Sequence, residues 1–303
     1  MARIGIYEMG TSHVVQFTMR INRVDIEPEQ QIESDSRIVA VAVGNSRETD
    51  PERVELYVPD LEKWGVQVVE TAEELMEVSD GIIIATQHGK THLEKARPFL
   101  EAGRLVYVDK PCTCSLADAI AMRDLAEANH TKVFSTSPLR YVPQIEAAIA
   151  DEEEIGQIMG ADTFGPSALR EDNPGLYNYG MHGVEMLYAL LGPGCVELSC
   201  LVEEKSEVVH GRWNDGRLGS VRGIHSGRSC YGMAVWGEKG PRVERVDESM
   251  MYPETAKRVT KFFETGESPL DFNITVEIMG FIEAAIKSGE QGGAVVPLGF
   301  TAS

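Results

Sequence analysis

The chain contains no apolar run long enough to cross a bilayer as a helix, so no membrane partner is expected. Positive charge is scarce. Against 48 Asp and Glu stand 28 Lys and Arg, a formal net charge of −20. That balance argues against nucleic acid or an anionic membrane as a partner. Cysteines number five, an odd count, and only Cys112 and Cys114 stand close, as C-x-C. No zinc-type spacing is present, so no metal is expected, and reduced thiols in a cytoplasmic protein are the simplest account. Met1 to Ile6 show no signal-peptide pattern, which agrees with that expectation. Also missing is a full glycine fingerprint for a dinucleotide. Where G-x-G-x-x-G would follow the first strand, the chain reads Glu8-Met9-Gly10-Thr11-Ser12-His13, with one glycine.

What is present fits a two-domain globular protein. The 303 residues exceed the usual single core, and 43% hydrophobic with 25% charged residues is ordinary for a folded chain. The N-terminal half alternates β and α patterns. Strands are expected over residues 3–9, 37–43, 66–69, 81–86, 105–108 and 132–135. Helices are expected over 13–22, 60–64, 71–78 and 91–102, the last with Pro98 inside it to kink or shorten it. Ser115-Leu116-Ala117-Asp118 reads as a capping box, followed by an apolar face of Ala117, Ile120, Ala121, Leu125 and Ala128. Such alternation means a parallel sheet covered by helices.

The chain is organised around Val108-Asp109-Lys110-Pro111, which closes the apolar run Leu105 to Val108. Proline cannot join a ladder, so the strand stops there. Lys110 then sits at the carboxyl end of a strand, where open α/β sheets place their ligands. Gly10 lets the backbone approach a pyrophosphate at the N-terminus of the next helix. Thr11 and Ser12 offer hydroxyls to phosphate or cap that helix, capping being the reading preferred for Ser12. Glu8 stands against this, because a carboxylate repels a pyrophosphate. The second strand ends in Gly44-Asn45-Ser46-Arg47, and no acid stands immediately after the strand. An acid there would suit NAD. Arg47, with Asn45 or Ser46, suits the 2′-phosphate of NADP, which is slightly favoured; the alternative is an exposed loop arginine.

A larger pattern joins these pieces. It runs from Ile82-Ile83-Ile84-Ala85-Thr86 through His92 and Glu101-Ala102-Gly103-Arg104 to Asp109-Lys110-Pro111. Arg140 and Pro143 follow, and then Asn178, His182 and Glu185. In order and spacing this resembles the Gfo/Idh/MocA oxidoreductase family. Thr11-Ser12-His13-Val14 is similar to the first turn of one subgroup. Asp109 stands for the family's usual glutamate, and Gln87-His88 for Pro-Asn. The resemblance implies an α/β Rossmann domain over residues 1–140. It implies an α+β C-terminal domain with an open, mostly antiparallel sheet over 141–303, whose final helices pack back on the first. Strand-like runs at 158–164, 196–202, 207–213, 218–224 and 232–236 agree, as do helices at 181–191, 253–263 and 275–288. Asn214-Asp215-Gly216 is a hairpin turn signal. The resemblance further implies NAD or NADP, a polyol-like substrate, and a homo-oligomer formed through the C-terminal sheet. It carries cofactor contacts onto Thr86, Gln87, His92, Asp109, Lys110 and Arg140.

Residue chemistry supplies catalytic candidates. Oxidising a carbinol needs a hydride acceptor and a base. His182 exchanges protons near neutrality, and Lys110 can sit as a cation beside the substrate oxygen. On a helix, Asn178, His182 and Glu185 share one face. Asn178 replaces the family's frequent aspartate; an amide can orient a hydroxyl but cannot take its proton. Two functions therefore stay open at this level: an NAD(P)-dependent oxidoreductase for a sugar, cyclitol or related polyol, and a non-catalytic sugar- or nucleotide-binding or regulatory protein on the same fold.

Overall fold

The computed structural model describes residues 1–44, 51–171 and 173–302. The chain divides into two compact units. The first comprises Met1–Cys112, Ile120–Ser135 and Tyr252–Phe272; the second comprises Thr113–Ala119, Thr136–Met251 and Asn273–Ser303.

In the first unit β1 (Arg3–Tyr7), β2 (Arg37–Ala42), β3 (Gln67–Val69), β4 (Gly81–Ile84), β5 (Leu105–Val108) and β6 (Val133–Ser135) form one sheet. Its order is β3-β2-β1-β4-β5-β6, with every neighbouring pair parallel. The order reverses between β1 and β4, which makes the crevice beyond their carboxyl ends the natural ligand position. All four residues of β4 are buried, as its isoleucine run requires of a central strand. The connecting helices are α1 (His13–Asn22), α2 (Pro51–Lys63), α3 (Ala72–Val78), α4 (His92–Glu101) and α5 (Leu116–Ala128).

Several boundaries differ from the sequence expectations. α2 starts nine residues before residue 60, because Pro59 inside it removes only one backbone bond while Pro51 suits a helix start. Pro98 neither kinks α4 to a stop nor shortens it appreciably, since only the last turn lies beyond it and Ala102 N still bonds to the Pro98 carbonyl at 3.1 Å. Thr71 caps α3, and Glu74 completes a capping box with it. Ser115 Oγ accepts from Asp118 N at 3.1 Å, as expected of a cap. The apolar face of α5 is a correction: Ala119, Met122 and Ala126 are buried, whereas Ala117, Ala121 and Ala128 are exposed. Alanines gain little by burial, so the larger Met122 decides which face turns inward.

The unit division also departs from a single cut at 140. The helix α8 (Met251–Thr265) clusters almost entirely with the first unit. Its Phe262 ring lies 5.7 Å from that of Phe134. Its Phe263 ring covers Gly81, where an added Cβ would come within 2.3 Å of the ring. The last long helix, α9 (Phe272–Glu290), belongs to the second unit apart from Phe272. Arg140 likewise lies in the second unit.

The second unit carries β7 (Ile158–Pro166), β8 (Cys195–Glu203), β9 (Ser206–Trp213), β10 (Leu218–Ile224), β11 (Gly232–Gly237), β12 (Pro241–Arg245) and β13 (Val296–Pro297). Their order is β12-β11-β7-β10-β9-β8-β13. Only β7 and β10 pair in parallel; every other pairing is antiparallel. Edge strands β12 and β13 were not legible as strands, being short and proline-bearing. The hairpin at Asn214–Gly216 closes with Gly216 N bonded to Trp213 O at 3.0 Å. Helices α6 (Pro143–Ala150) and α7 (Met181–Leu191) complete the unit. Ten of the eleven residues of α7 are buried, so it is a core helix seated on the sheet. Glu277 of α9 is buried too, and it accepts from Tyr188 Oη and from the backbone N–H groups of Gly194, Cys195 and Ala302. Four donors satisfy that carboxylate, which makes it structural. All five cysteines are free thiols. Among the described residues no helix is long and apolar enough to cross a membrane.

Candidate active site

At the switch point of the first unit, Gly10 N bonds to the Ala85 carbonyl at 3.0 Å, joining the turn after β1 to the end of β4. A Cβ on Gly10 would come within 2.9 Å of the Thr86 Cα. Glycine is therefore required here by the neighbouring backbone. Ser12 sits at the N-cap position of α1 but makes no side-chain cap; Thr11 Oγ1 accepts from His13 N instead, at 3.2 Å. Thr11 Oγ1 also donates to Asp109 Oδ2 at 3.1 Å.

Glu8, the expected obstacle to an anion, is buried with a left-handed backbone (φ 68°). Its Oε2 lies 2.7 Å from Lys95 Nζ of α4, which is buried as well. The two charges offset one another inside the unit. The sequence could not show this pairing, because its members lie 87 positions apart.

Asp109 has no exposed surface. Its Oδ1 accepts from Lys110 N at 2.7 Å, and its Oδ2 lies 2.8 Å from His13 Nδ1. The His13 N–H is not aligned for a hydrogen bond, so that contact is electrostatic. Burial pushes the carboxyl up; the His13 imidazole and Lys110 outweigh burial and hold it below the usual range. Asp109 is thus a brace that ties β5 to the first turn and sets the backbone leading into Lys110. The Lys110–Pro111 peptide bond is cis.

His92 is equally enclosed. Its Nδ1 lies 2.8 Å from the Pro111 carbonyl and its Nε2 lies 3.3 Å from the Thr86 carbonyl. Burial lowers its pKa, so the ring is a neutral clasp between the ends of β4 and β5. In the structure the side chains of His92 and Asp109 both meet groups at the strand ends. Gln87, its amide oxygen turned to the guanidinium, accepts from Arg53 at 3.1 and 3.3 Å, and Arg53 also donates to the Gly10 carbonyl. Sequence reasoning missed Arg53, which reaches from α2 onto the first turn. Asn45, Ser46 and Arg47 lie outside the described residues.

The chemistry of this turn fits an anionic phosphate. The first turn of α1 holds no acid and Ser12 does not cap it. Glu8 is neutralised by Lys95. Thr86 Oγ1, at the end of β4, is buried with no hydrogen-bond partner among the described residues, a donor awaiting an acceptor.

In the second unit, His182 lies in the first turn of α7, about nine-tenths buried. Its Nδ1 lies 2.6 Å from Ser137 Oγ. The ring packs edge-on to Tyr231 at 5.5 Å, with Tyr179 at 5.9 Å. Glu185, three residues on, does not serve His182. Its Oε2 accepts from Arg140 Nε at 2.6 Å and its Oε1 from Ser137 N at 3.2 Å. Arg140 is therefore first a brace for α7 and not part of the first unit, although its Nη2 is buried without a hydrogen-bond partner among the described residues. Asn178 is a second correction. It precedes α7, with ψ −111°, so it does not share the helix face of His182. Its Nδ2 donates to the Ala168 carbonyl at 2.7 Å and holds that loop. Spacing alone suggested the shared face; the turn over 178–180 breaks the periodicity on which it depended.

Known proteins give the same picture. No curated protein matches the chain in sequence. Among solved structures, a myo-inositol dehydrogenase from Corynebacterium glutamicum ATCC 13032 is similar, with a TM-score of 0.80 and 16% identity over 98% of this chain and 99% of that one. The WlbA dehydrogenase from Bordetella pertussis, solved in complex with NADH and UDP-GlcNAcA, gives 0.77 and 17% over 98% of both chains. A scyllo-inositol dehydrogenase from Lactobacillus casei, solved with NAD(H) and scyllo-inositol, gives 0.77 and 11% over 98% and 99%. At such identities the likeness shows the fold alone. Residues 18–137 match the family model described as the oxidoreductase family with an NAD-binding Rossmann fold. The six-stranded parallel sheet and the motifs around Lys110 agree with that match, which spans residues 18–137.

Proposed function

We propose that the protein is an NAD(P)-dependent dehydrogenase acting on a sugar, cyclitol or related polyol. The observation that carries this reading is the construction around Lys110. A buried aspartate, a buried histidine and the first turn are all committed to fixing the backbone at the end of β5, where that lysine begins. A chain that only needed a solvated lysine would not enclose two titratable groups to place it. The fold neighbours named for inositols and a nucleotide sugar support the substrate class.

Nicotinamide supplies the hydride acceptor. Lys110 sets a cation beside the substrate oxygen and favours its developing negative charge. His182 takes up the hydroxyl proton and returns it in the reverse direction. Thr86 and the uncapped start of α1 receive the cofactor's polar groups, and Gly10 keeps that turn low. Arg47, with no acid immediately after β2, selects NADP(H) at least as well as NAD(H). Loss of a charge-assisted bond to the 2′-phosphate in Arg47→Ala costs about 1.5–3 kcal/mol of NADP(H) affinity.

The protein further assembles as a homo-oligomer through its seven-stranded sheet. Met159, Leu218, Trp236 and Val295 are exposed and line one depression of that sheet, an apolar group that a second copy of the chain would cover.

The test is reduction of NAD(P) across a panel of sugars and cyclitols, with His182→Asn beside the wild type. Turnover with one substrate group, falling about 10²–10⁴-fold in the variant, supports the reading. Sugar binding without nucleotide binding or turnover would instead make this a binding protein. The loop-holding amide at Asn178, where a carboxylate relay was looked for, is the feature that favours such an outcome.

A further inference from the structure

The oxidoreductase reading leaves one question at His182: what holds the ring and determines which nitrogen exchanges protons. The two partners that sequence spacing offered are engaged elsewhere. Asn178 donates to Ala168 O, and Glu185 is taken by Arg140 and by Ser137 N. Ser137 meets the ring at hydrogen-bond distance through its side-chain oxygen, Oγ to Nδ1 at 2.6 Å.

Ser137 is well built for this. It has no exposed surface, and it caps the short 3-10 turn Pro138–Tyr141 by accepting from Leu139 N at 3.1 Å. Its backbone N–H is fixed by Glu185, whose charge Arg140 meets at 2.6 Å. Position and rotamer are therefore set from three sides. A hydroxyl has one proton and two acceptor sites. With one acceptor site used by Leu139 N, it can still donate to a bare Nδ1 or accept from a protonated one. It thus follows the ring through both protonation states without moving. A carboxylate could only accept, and it would add a negative charge behind the ring. The Tyr179 and Tyr231 rings also face the imidazole, and burial raises the Tyr231 hydroxyl pKa above its usual value, so that ring adds no charge.

We propose that Ser137 is the positioning residue of His182, holding Nδ1 through a neutral, reversible hydrogen bond so that proton exchange with substrate runs through Nε2. This rests on the dehydrogenase reading for its chemical purpose, but the hydrogen bond can be tested without turnover.

The experiment is a pH titration of the full-length protein labelled with ¹⁵N-histidine, with the His182 signals assigned by their loss in His182→Asn. In the wild type and in Ser137→Thr, which keeps the hydroxyl, Nδ1 is expected to report a hydrogen-bonded nitrogen. In Ser137→Ala that signature is lost and the tautomer balance shifts. Ser137→Asp is expected to raise the titration midpoint of His182 by about 1–3 units, the effect of an adjacent opposite charge. If a substrate is found, Ser137→Ala lowers kcat roughly 10–100-fold, as loss of an orienting partner does, with a smaller change in KM. Identical histidine spectra in the wild type and Ser137→Ala would overturn the proposal. So would a wild-type Nδ1 with no hydrogen-bond signature, a result that needs no variant to fold. An inactive protein that still shows the Nδ1 bond would count against the dehydrogenase reading and leave the Ser137 bond standing.

Discussion

Replacing Lys95 with methionine tests the account of the first turn at its most demanding point. The stem of the side chain is kept and only the charge is removed. Lys95 Nζ lies 2.7 Å from Glu8 Oε2, and the side chains are 9% and 1% exposed. Solvent therefore screens the pair little. Removing the ammonium breaks a buried ion pair from one side, which costs about 3–5 kcal/mol. For a unit of this size each kcal/mol shifts the melting temperature by roughly 2–4 °C, so the variant is expected to melt about 6–20 °C lower. The double variant Lys95→Met with Glu8→Gln removes both charges and should recover more than half of that loss. The assay is thermal unfolding followed by circular dichroism at one protein concentration. A Lys95→Met protein as stable as the wild type would refute the claim that Glu8 is held neutralised. A double variant no better than the single one would place the cost in packing and not in charge.

Other expectations follow from the same geometry. Lys110→Ala should abolish turnover while leaving the circular dichroism spectrum unchanged; near-normal kcat would remove this lysine from the mechanism. Asp109 is held below the usual carboxylate range in the folded chain, so it adds stability that is fully present above its ordinary value, near pH 4, and is lost as pH falls through the lower folded value. Asp109→Asn should flatten the acid limb of the stability profile in that window, read from unfolding midpoints between pH 5 and pH 2; an unchanged limb would contradict the brace. Trp236→Glu, placed on the open sheet, should shift the mass measured by light scattering toward the single chain. A wild type that is already a single chain would remove the sheet as an assembly surface.

Much of this was legible in the sequence because it depends on local pattern. The isoleucines of β4 and the abrupt Asp109-Lys110-Pro111 ending of β5 announce buried parallel strands and their carboxyl ends. The hairpin at Asn214–Gly216 is set by its own turn residues. What escaped depends on contacts made across the chain. Lys95 answers Glu8 from α4, Arg53 reaches the Gly10 carbonyl from α2, and Ser137 meets His182 across 45 positions. No periodicity encodes such meetings. Asn178 misled for a related reason: spacing of four places residues together only where the helix is already formed, and α7 begins at Met181. His92 and Asp109 were found by pattern, whereas the backbone groups they meet at the strand ends are seen only in the folded chain.

The central claim is that the ground between β1 and β4 receives a nicotinamide dinucleotide. It is tested most directly by titrating the purified full-length chain with NAD(H) and NADP(H), following quenching of protein fluorescence and heat release together. The account predicts saturable one-site binding of at least one of them, weakened by substituting Thr86 with valine, which removes the orphaned hydroxyl and keeps the shape. Binding of neither nucleotide by a folded wild-type chain would contradict it.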